Sequence, residues 1–307
     1  MNDEKSYRYF RGVNRMDCFI CHHDMKCIDE KNQMFRCGSC GLYAAGTNAY
    51  RNPGNTVAEQ ALMDSLEPLR RENYRDIMDC LKRHLPQEGQ VRGLDIGCAR
   101  GWFLQAASAY GVKMDGIEPE QQFFEMAKPY GDYVANGLFP QDFCPPEDHG
   151  VSRKYDFIIF NDVLEHIPDI EKTIQNCKNL LKPHGFLIVN CPDHAGTLFH
   201  VAKIMQFFGL DSSWRRLWQC DFYSPHLWYF GEKSLDLMLK HEHFTFVDKI
   251  SLATMTKSGL YDRIMVSASN KVTGFVTYIL LRLGMPVLDI LPGDILCRVY
   301  RQEDIVE

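Results

Sequence analysis

A strand, a glycine turn and the start of a helix, all between Val91 and Gln105, constrain this chain more than any other feature. The stretch reads Val-Arg-Gly-Leu-Asp-Ile-Gly-Cys-Ala-Arg-Gly-Trp-Phe-Leu-Gln. Leu94 to Ile96 is a short apolar run that stops at Gly97, and an apolar helical pattern begins after Gly101. That order predicts a buried parallel strand, a tight turn and a helix. Gly97, Ala99 and Gly101 occupy alternate positions, where small side chains let a ligand lie against the backbone. Asp95 closes the strand with a carboxylate that can accept hydrogen bonds from a polar or cationic group. Taken alone, the turn is equally well a plain strand-helix connection.

The residues that follow give the turn its weight. Strands are predicted at Val112–Ile117, Asp132–Ala135, Tyr155–Phe160 and Phe186–Val189, with helices at Glu120–Lys128 and Pro168–Leu181. This alternation predicts an α/β fold with a doubly wound, mostly parallel sheet. Ligands of such sheets bind outside the carboxyl ends of the strands. Those ends hold Asp95, Glu118, Asn136, Asn161 and Asn190, and packing does not explain polar residues recurring along one edge. Glu118 lies about twenty residues past the turn, where a second strand presents a carboxylate to ribose hydroxyls. A pyrophosphate at a helix N-terminus calls for Gly-x-Gly-x-x-Gly. The spacing Gly97-x-Ala99-x-Gly101 departs from it and argues against a dehydrogenase.

Before this domain, Cys18-Phe-Ile-Cys21 and Cys37-Gly-Ser-Cys40 form two Cys-x-x-Cys knuckles fifteen residues apart. Each knuckle places two thiolates on one side of a tight turn, so the pair predicts a closed, structural Zn²⁺ site. Residues 1–50 are therefore expected to form a zinc-ribbon-like module. Residues 51–90 are expected to be a linker and a helical segment, with the linker reading starting at Tyr43. Glu59 to Leu85 shows a helical apolar face, and Pro68 is expected to kink or split it. The catalytic domain would span 91–307.

The remaining motifs resemble, in order, those of class I S-adenosylmethionine-dependent methyltransferases. They are Leu94-Asp-Ile-Gly-Cys-Ala-Arg-Gly101, Gly116-Ile-Glu-Pro119, Asn161-Asp-Val-Leu-Glu-His-Ile-Pro168 and Leu181-Lys-Pro-His-Gly-Phe-Leu-Ile-Val189. The likeness covers Val91 to Phe246 and continues in Pro225-His-Leu-Trp-Tyr-Phe-Gly231, similar to the ubiquinone-type and sugar-modifying branch. It implies a seven-stranded Rossmann-like sheet and S-adenosylmethionine as cofactor. It further implies that Asp95, Gly97, Ala99 and Gly101 hold the methionine end, although glycine is usual where Ala99 stands. Glu118 would bind the ribose, Asn136, Gly137 and Leu138 would lie beside the adenine, and Asn161 and Asp162 would lie near the methionine ammonium.

Asp193 to Phe230 is rich in aromatic residues and histidine and follows the fifth strand, so a helical lid over the acceptor is expected at 193–230. A hydroxyl acceptor needs a base, and His166 and His226 are both candidates, with Tyr229 as a further catalytic candidate. Arg215 and Arg216 are either an anion clamp or a solvated basic pair. Phe244–Leu252 and Asp294–Tyr300 are expected to be an antiparallel final hairpin. Between them a helical insertion at 255–292 offers a dimer surface, a packed subdomain or, less favoured, a membrane contact.

The net charge of −6 and the lack of a Lys/Arg-rich ribbon argue against nucleic acid as the partner. The polar residues Met1 to Arg15 contain no apolar signal region, so a cytoplasmic protein is expected. Twelve cysteines in such a setting suggest reduced thiols. The leading expectation is methyl transfer to a small molecule, with a sugar, nucleotide-sugar or glycan-related oxygen or carbon as the acceptor. An RNA methyltransferase with a zinc module and a non-catalytic interaction protein are the competing expectations.

Overall fold

A computed structural model describes residues 15–46, 56–148, 150–220, 222, 224–255, 260–267, 270–288 and 290–303. The chain begins with four short strands: β1 (Met16–Asp17), β2 (Asp24–Asp29), β3 (Met34–Cys37) and β4 (Tyr43–Ala45). Helix α1 (Thr56–Lys82) leads to β5 (Arg92–Ile96), α2 (Trp102–Ser108), β6 (Lys113–Glu118), α3 (Gln121–Ala127) and β7 (Tyr133–Asn136). A small hairpin of β8 (Glu147–Asp148) and β9 (Val151–Ser152) precedes β10 (Tyr155–Asn161), α4 (Ile170–Leu180) and β11 (Leu181–Pro192). Helices α5 (Thr197–Phe207) and α6 (Asp211–Leu217) follow, then β12 (Trp228–Tyr229), α7 (Glu232–His241) and β13 (Phe244–Ile250). The described chain closes with α8 (Leu260–Ser267), α9 (Lys271–Leu288) and β14 (Ile295–Gln302).

The main sheet has seven strands in the order β13-β14-β11-β10-β5-β6-β7. The five from β11 to β7 are parallel, while β14 and β13 form the antiparallel end. All of β10 is buried because helices cover both of its faces. Phe157 and Ile159 pack in the cluster of Tyr74, Ile77 and Leu81 from α1 and Phe103 from α2. Ile158 and Phe160 share the opposite cluster with Ile174 of α4 and Leu235 and Met238 of α7. The side-chain alternation of a strand thus divides the core into two layers.

Two local expectations change. Helix α1 runs through Pro68 as one element. The missing N–H and ring clash cost about 3 kcal/mol, and the buried face of Leu69, Ile77 and Leu81 outweighs them. Tyr43–Ala45 is a strand rather than the start of a linker, and residues 47–55 lie outside the described ones. Strand β4 pairs with β12, so β1-β2-β3-β4-β12 is a single five-stranded sheet. The N-terminal module is therefore hydrogen-bonded to the last residues of the expected lid. The lid region folds as α5, α6 and a connection to β12; Tyr223 lies outside the described residues. Among the described residues, no helix is long and apolar enough to cross a membrane.

Candidate active site

The carboxyl edge of the parallel strands collects the polar residues expected there. Gly97 and Gly101 both have φ in the left-handed region, +72° and +74°, which favours glycine. A Cβ on Gly97 would sit 2.6 Å from Val163 Cγ2, and one on Gly101 would sit 2.9 Å from the Ala127 backbone. These glycines therefore serve close packing within the turn as well as any ligand. Ala99 is also left-handed, at +44°, and its N–H donates to Glu118 Oε2 at 2.9 Å. Glu120 N donates to Glu118 Oε1 at 3.0 Å, so two backbone donors fix this carboxylate.

Asp95 and Glu118 are almost completely buried. Burial pushes the Asp95 carboxyl up to about 8 and Glu118 up to about 7. Asn161 Nδ2 donates to Asp95 Oδ1 at 3.5 Å, and Asn190 Nδ2 donates to Asn161 Oδ1 at 3.3 Å. This network joins the ends of β5, β10 and β11. Asn136 Nδ2 donates to the Glu118 carbonyl at 2.9 Å and so braces the end of β6. Leu138 is partly exposed, and its N–H donates to Asp142 Oδ2 at 2.8 Å. A Cβ on Gly137 would lie 2.3 Å from Asp142 Cβ.

Asp162, left-handed at φ +54°, pairs with Arg70 of α1 at 2.9 Å. Arg70 in turn interacts with the buried Tyr74 hydroxyl. Sequence reading overlooked Arg70 and Tyr74, which lie in a helix preceding the motif region and carry no spacing signal. It also overlooked Asp142.

Beyond Asp162 the short helical turn Leu164–His166 brings the two candidate histidines together. Their rings lie 4.8 Å apart between centroids. Glu165 Oε1 stands 4.0 Å from Nε2 of each. His166 Nδ1 donates to the Pro225 carbonyl at 2.9 Å, so in the neutral ring Nε2 is the basic nitrogen. Burial lowers both histidines, His226 the further. Burial and the neighbouring Asp162 raise Glu165 well above the usual carboxylate range. Neither Glu165 oxygen has a hydrogen-bond partner among the described residues, and His226 Nδ1 has none either. Glu165 lies within a motif the sequence made visible, but its role was not read from it.

Segment 225–228 is latched onto this turn. Leu227 N donates to the Glu165 carbonyl at 2.8 Å, and Trp228 Nε1 donates to the Ile167 carbonyl at 2.8 Å. Tyr229, the third catalytic candidate, is placed otherwise. Its hydroxyl donates to the Leu217 carbonyl at 3.0 Å, and its ring packs with Phe199, Trp214 and Trp218. These rings share a core with Met34, Tyr43 and Ala45 of the N-terminal sheet. Arg215 donates to Asn32 of that module at 3.0 Å.

The knuckle cysteines converge as their spacing predicts. Cys18 and Cys40 sulfurs are 3.5 Å apart, and Cys21 and Cys37 sulfurs are 3.4 Å apart. All four lie within 4.8 Å of one another. A hydrogen bond from Cys18 holds Cys40 down at about 5, so one thiolate is already favoured there. Four converging thiols without a disulfide fit a tetrahedral Zn²⁺ donor set.

Comparison with known proteins agrees with the fold. A methyltransferase-domain family model matches residues 69–249. The ubiquinone biosynthesis O-methyltransferase of Bradyrhizobium diazoefficiens is 29% identical over 168 residues, 47% of this chain and 66% of that protein. The protein of the same name from Actinobacillus pleuropneumoniae is 34% identical over 101 residues, 31% of this chain and 42% of that protein. The chain thus spans only part of the length of these relatives. Among solved structures, a complex from Haloferax volcanii joins the Trm112 methyltransferase activator to a protein described as a methyltransferase. Its matching chain has a TM-score of 0.53 at 14% identity, covering 82% of this chain and 97% of that one. The plantazolicin methyltransferase BpumL, solved with S-adenosylhomocysteine, gives 0.50 at 13% identity, covering 81% and 90%. At these identities the structures speak for the fold alone. The family match covers more than half of the chain and takes in six of the seven strands of the main sheet, all but β14, with their polar edge. This chain belongs to the methyltransferase-domain family, with the Rossmann-like architecture of its class I S-adenosylmethionine-dependent members.

Proposed function

We propose that this chain methylates a hydroxyl oxygen of a small-molecule acceptor with S-adenosylmethionine as donor. The observation that carries the reading is a juxtaposition. The buried carboxylates Asp95 and Glu118 stand at one side of the strand edge, and a neutral histidine pair stands at the other. Two buried carboxylates with raised proton affinity suit a ligand that brings an ammonium group and a ribose diol. Bound there, S-adenosylmethionine would supply an electrophilic methyl group. Gly97, Ala99 and Gly101 would hold its methionine end, Glu118 would accept from the ribose hydroxyls, and Asn161 and Asp162 would orient the ammonium. Gly137 and Leu138 would border the adenine, with Asn136 bracing them.

His166 is the general base in this reading. Its Nδ1 is engaged by the Pro225 carbonyl, and its burial keeps the ring neutral near pH 7. Nε2 is then left to take the acceptor proton. Glu165 and His226, packed against it, position the ring and exclude water. Tyr229 is a positioning residue that sets the lid core behind His226.

The curated relatives named above are O-methyltransferases of a quinone pathway, which supports oxygen as the methylated atom. They lend nothing to a sugar-linked acceptor. Cys18, Cys21, Cys37 and Cys40 would hold a structural Zn²⁺ that fixes the sheet reaching β12.

The test is a transfer assay with labelled donor and a panel of phenolic, catecholic and sugar hydroxyl acceptors. His166→Gln should lower kcat by about 10²-fold or more while leaving S-adenosylhomocysteine affinity within a factor of about two. Full turnover by this variant would remove His166 from the chemistry.

A further inference from the structure

We propose that Cys80, His84 and Asp248 form a second transition-metal site, for Zn²⁺, that clips the C-terminal end of α1 to β13. It is separate from the four-cysteine cluster and from the histidine pair. Cys80 sits in the last turns of α1, and His84 follows in the turn closed by its N–H to the Leu81 carbonyl. Asp248 lies at a register shift in β13, between Phe246 and Asp248; such bulges re-aim a side chain.

The spacing matches a tetrahedral ion. Asp248 Oδ2 is 3.5 Å from Cys80 Sγ and 3.1 Å from His84 Nε2, and all three ligand atoms lie within 4.8 Å of one another. Zinc bonds of about 2.3 Å to sulfur and about 2.0 Å to nitrogen and oxygen, at tetrahedral angles, place S···O about 3.5 Å and N···O about 3.3 Å apart. The surroundings hold each ligand in place. Lys249 N donates to Asp248 Oδ1 at 2.8 Å, leaving Oδ2 to the cluster. The His84 ring packs against Phe186 at 5.9 Å between centroids. Thiolate, imidazole and carboxylate together form a donor set that suits zinc far better than magnesium or calcium.

One group competes with the metal. Arg83 Nη2 lies 3.1 Å from the same Oδ2, but its side chain is 61% exposed and can turn to solvent. Three protein ligands leave a fourth position for water. The site would anchor the helix whose Arg70 pairs with Asp162 at the cofactor edge.

The competing cation makes the proposal directional. Zinc per chain is measured by elemental analysis on the full-length protein after exposure to a slight excess of Zn²⁺ and passage into metal-free buffer. Affinity is measured by competition with a chelating dye. The wild type should retain one equivalent more than His84→Ala or Cys80→Ser, each checked for an unchanged far-ultraviolet circular dichroism spectrum. Arg83→Gln should keep that equivalent and bind it several-fold more tightly. Because the comparison is a difference between variants, it holds whatever the four-cysteine cluster retains. Equal zinc content in wild type and His84→Ala overturns the proposal. So does an Arg83→Gln variant that binds no more tightly than wild type, since the cluster would then be a hydrogen-bond network alone. Should Cys80→Ser fail to fold, the half-exposed positions His84 and Arg83 still decide.

Discussion

Ala99 stands where related glycine turns have a third glycine, and its φ of +44° shows the cost. A side chain in the left-handed region is disfavoured by roughly 1–2 kcal/mol, part of which glycine would return to the unfolded chain as entropy. Ala99→Gly should therefore raise stability, by up to about 1 kcal/mol in denaturant unfolding. A loss of stability would mean that the methyl group packs where the backbone only tolerates it.

Asp95 gives a pH dependence of definite sign. Its folded value of about 8 lies above the ordinary carboxylate value, so the folded state holds a proton that the unfolded state has released. Stability should fall as pH rises from about 4 to about 8 and level off above that. Affinity for S-adenosylhomocysteine should run the opposite way, because its ammonium favours the ionised carboxylate. Between pH 6 and 8 it should rise roughly tenfold or more by calorimetry, and Asp95→Asn should bind weakly with a shallower profile that follows Glu118 alone. A wild-type affinity that is constant or falling over this range would contradict the reading.

Elements explain what single residues do not. The edge carboxylates and the histidines were legible because each ends or follows a strand that the hydrophobic pattern made visible. Arg70, Tyr74, Asp142 and the role of Glu165 were not, since each depends on how one element packs against another. The same holds for Tyr43–Ala45: three residues pair with β12 only because the module folds back, and no local pattern announces a long-range ladder. Pro68 shows the converse, a clear local signal overridden by packing.

The 225–228 latch makes an element-scale prediction. Trp228 donates to the Ile167 carbonyl and stacks edge-on against Phe19 of the N-terminal module, at 4.7 Å between centroids. Trp228→Phe should remove one buried hydrogen bond, cost about 1–3 kcal/mol and slow methyl transfer. Cofactor affinity should stay unchanged, because the Asp95 and Glu118 side does not touch it. An equal loss of both would show that the two sides fold as one.

At the scale of the molecule, two sheets share one function. On the proposed reading the parallel strands build the donor edge, and the five-stranded sheet, ending in β12, supports the acceptor edge. Removal of the Zn²⁺ proposed for the cysteine module separates the two. Treating the protein with a strong chelator should expose Trp218 and Trp228, seen as a fluorescence shift, and abolish transfer while S-adenosylhomocysteine still binds. Unchanged activity in a verified metal-free protein would detach the cysteine module from the acceptor side.

Calorimetric titration of S-adenosylhomocysteine into wild type, Glu118→Ala and His166→Gln tests the site most directly. Glu118→Ala should weaken binding by about tenfold or more, as expected when hydrogen bonds to a charged group worth about 1.5–3 kcal/mol are lost. His166→Gln should bind like wild type and fail to turn over. Wild-type affinity in Glu118→Ala, or lost binding in His166→Gln, would contradict a donor site on one side of the strand edge and a base on the other.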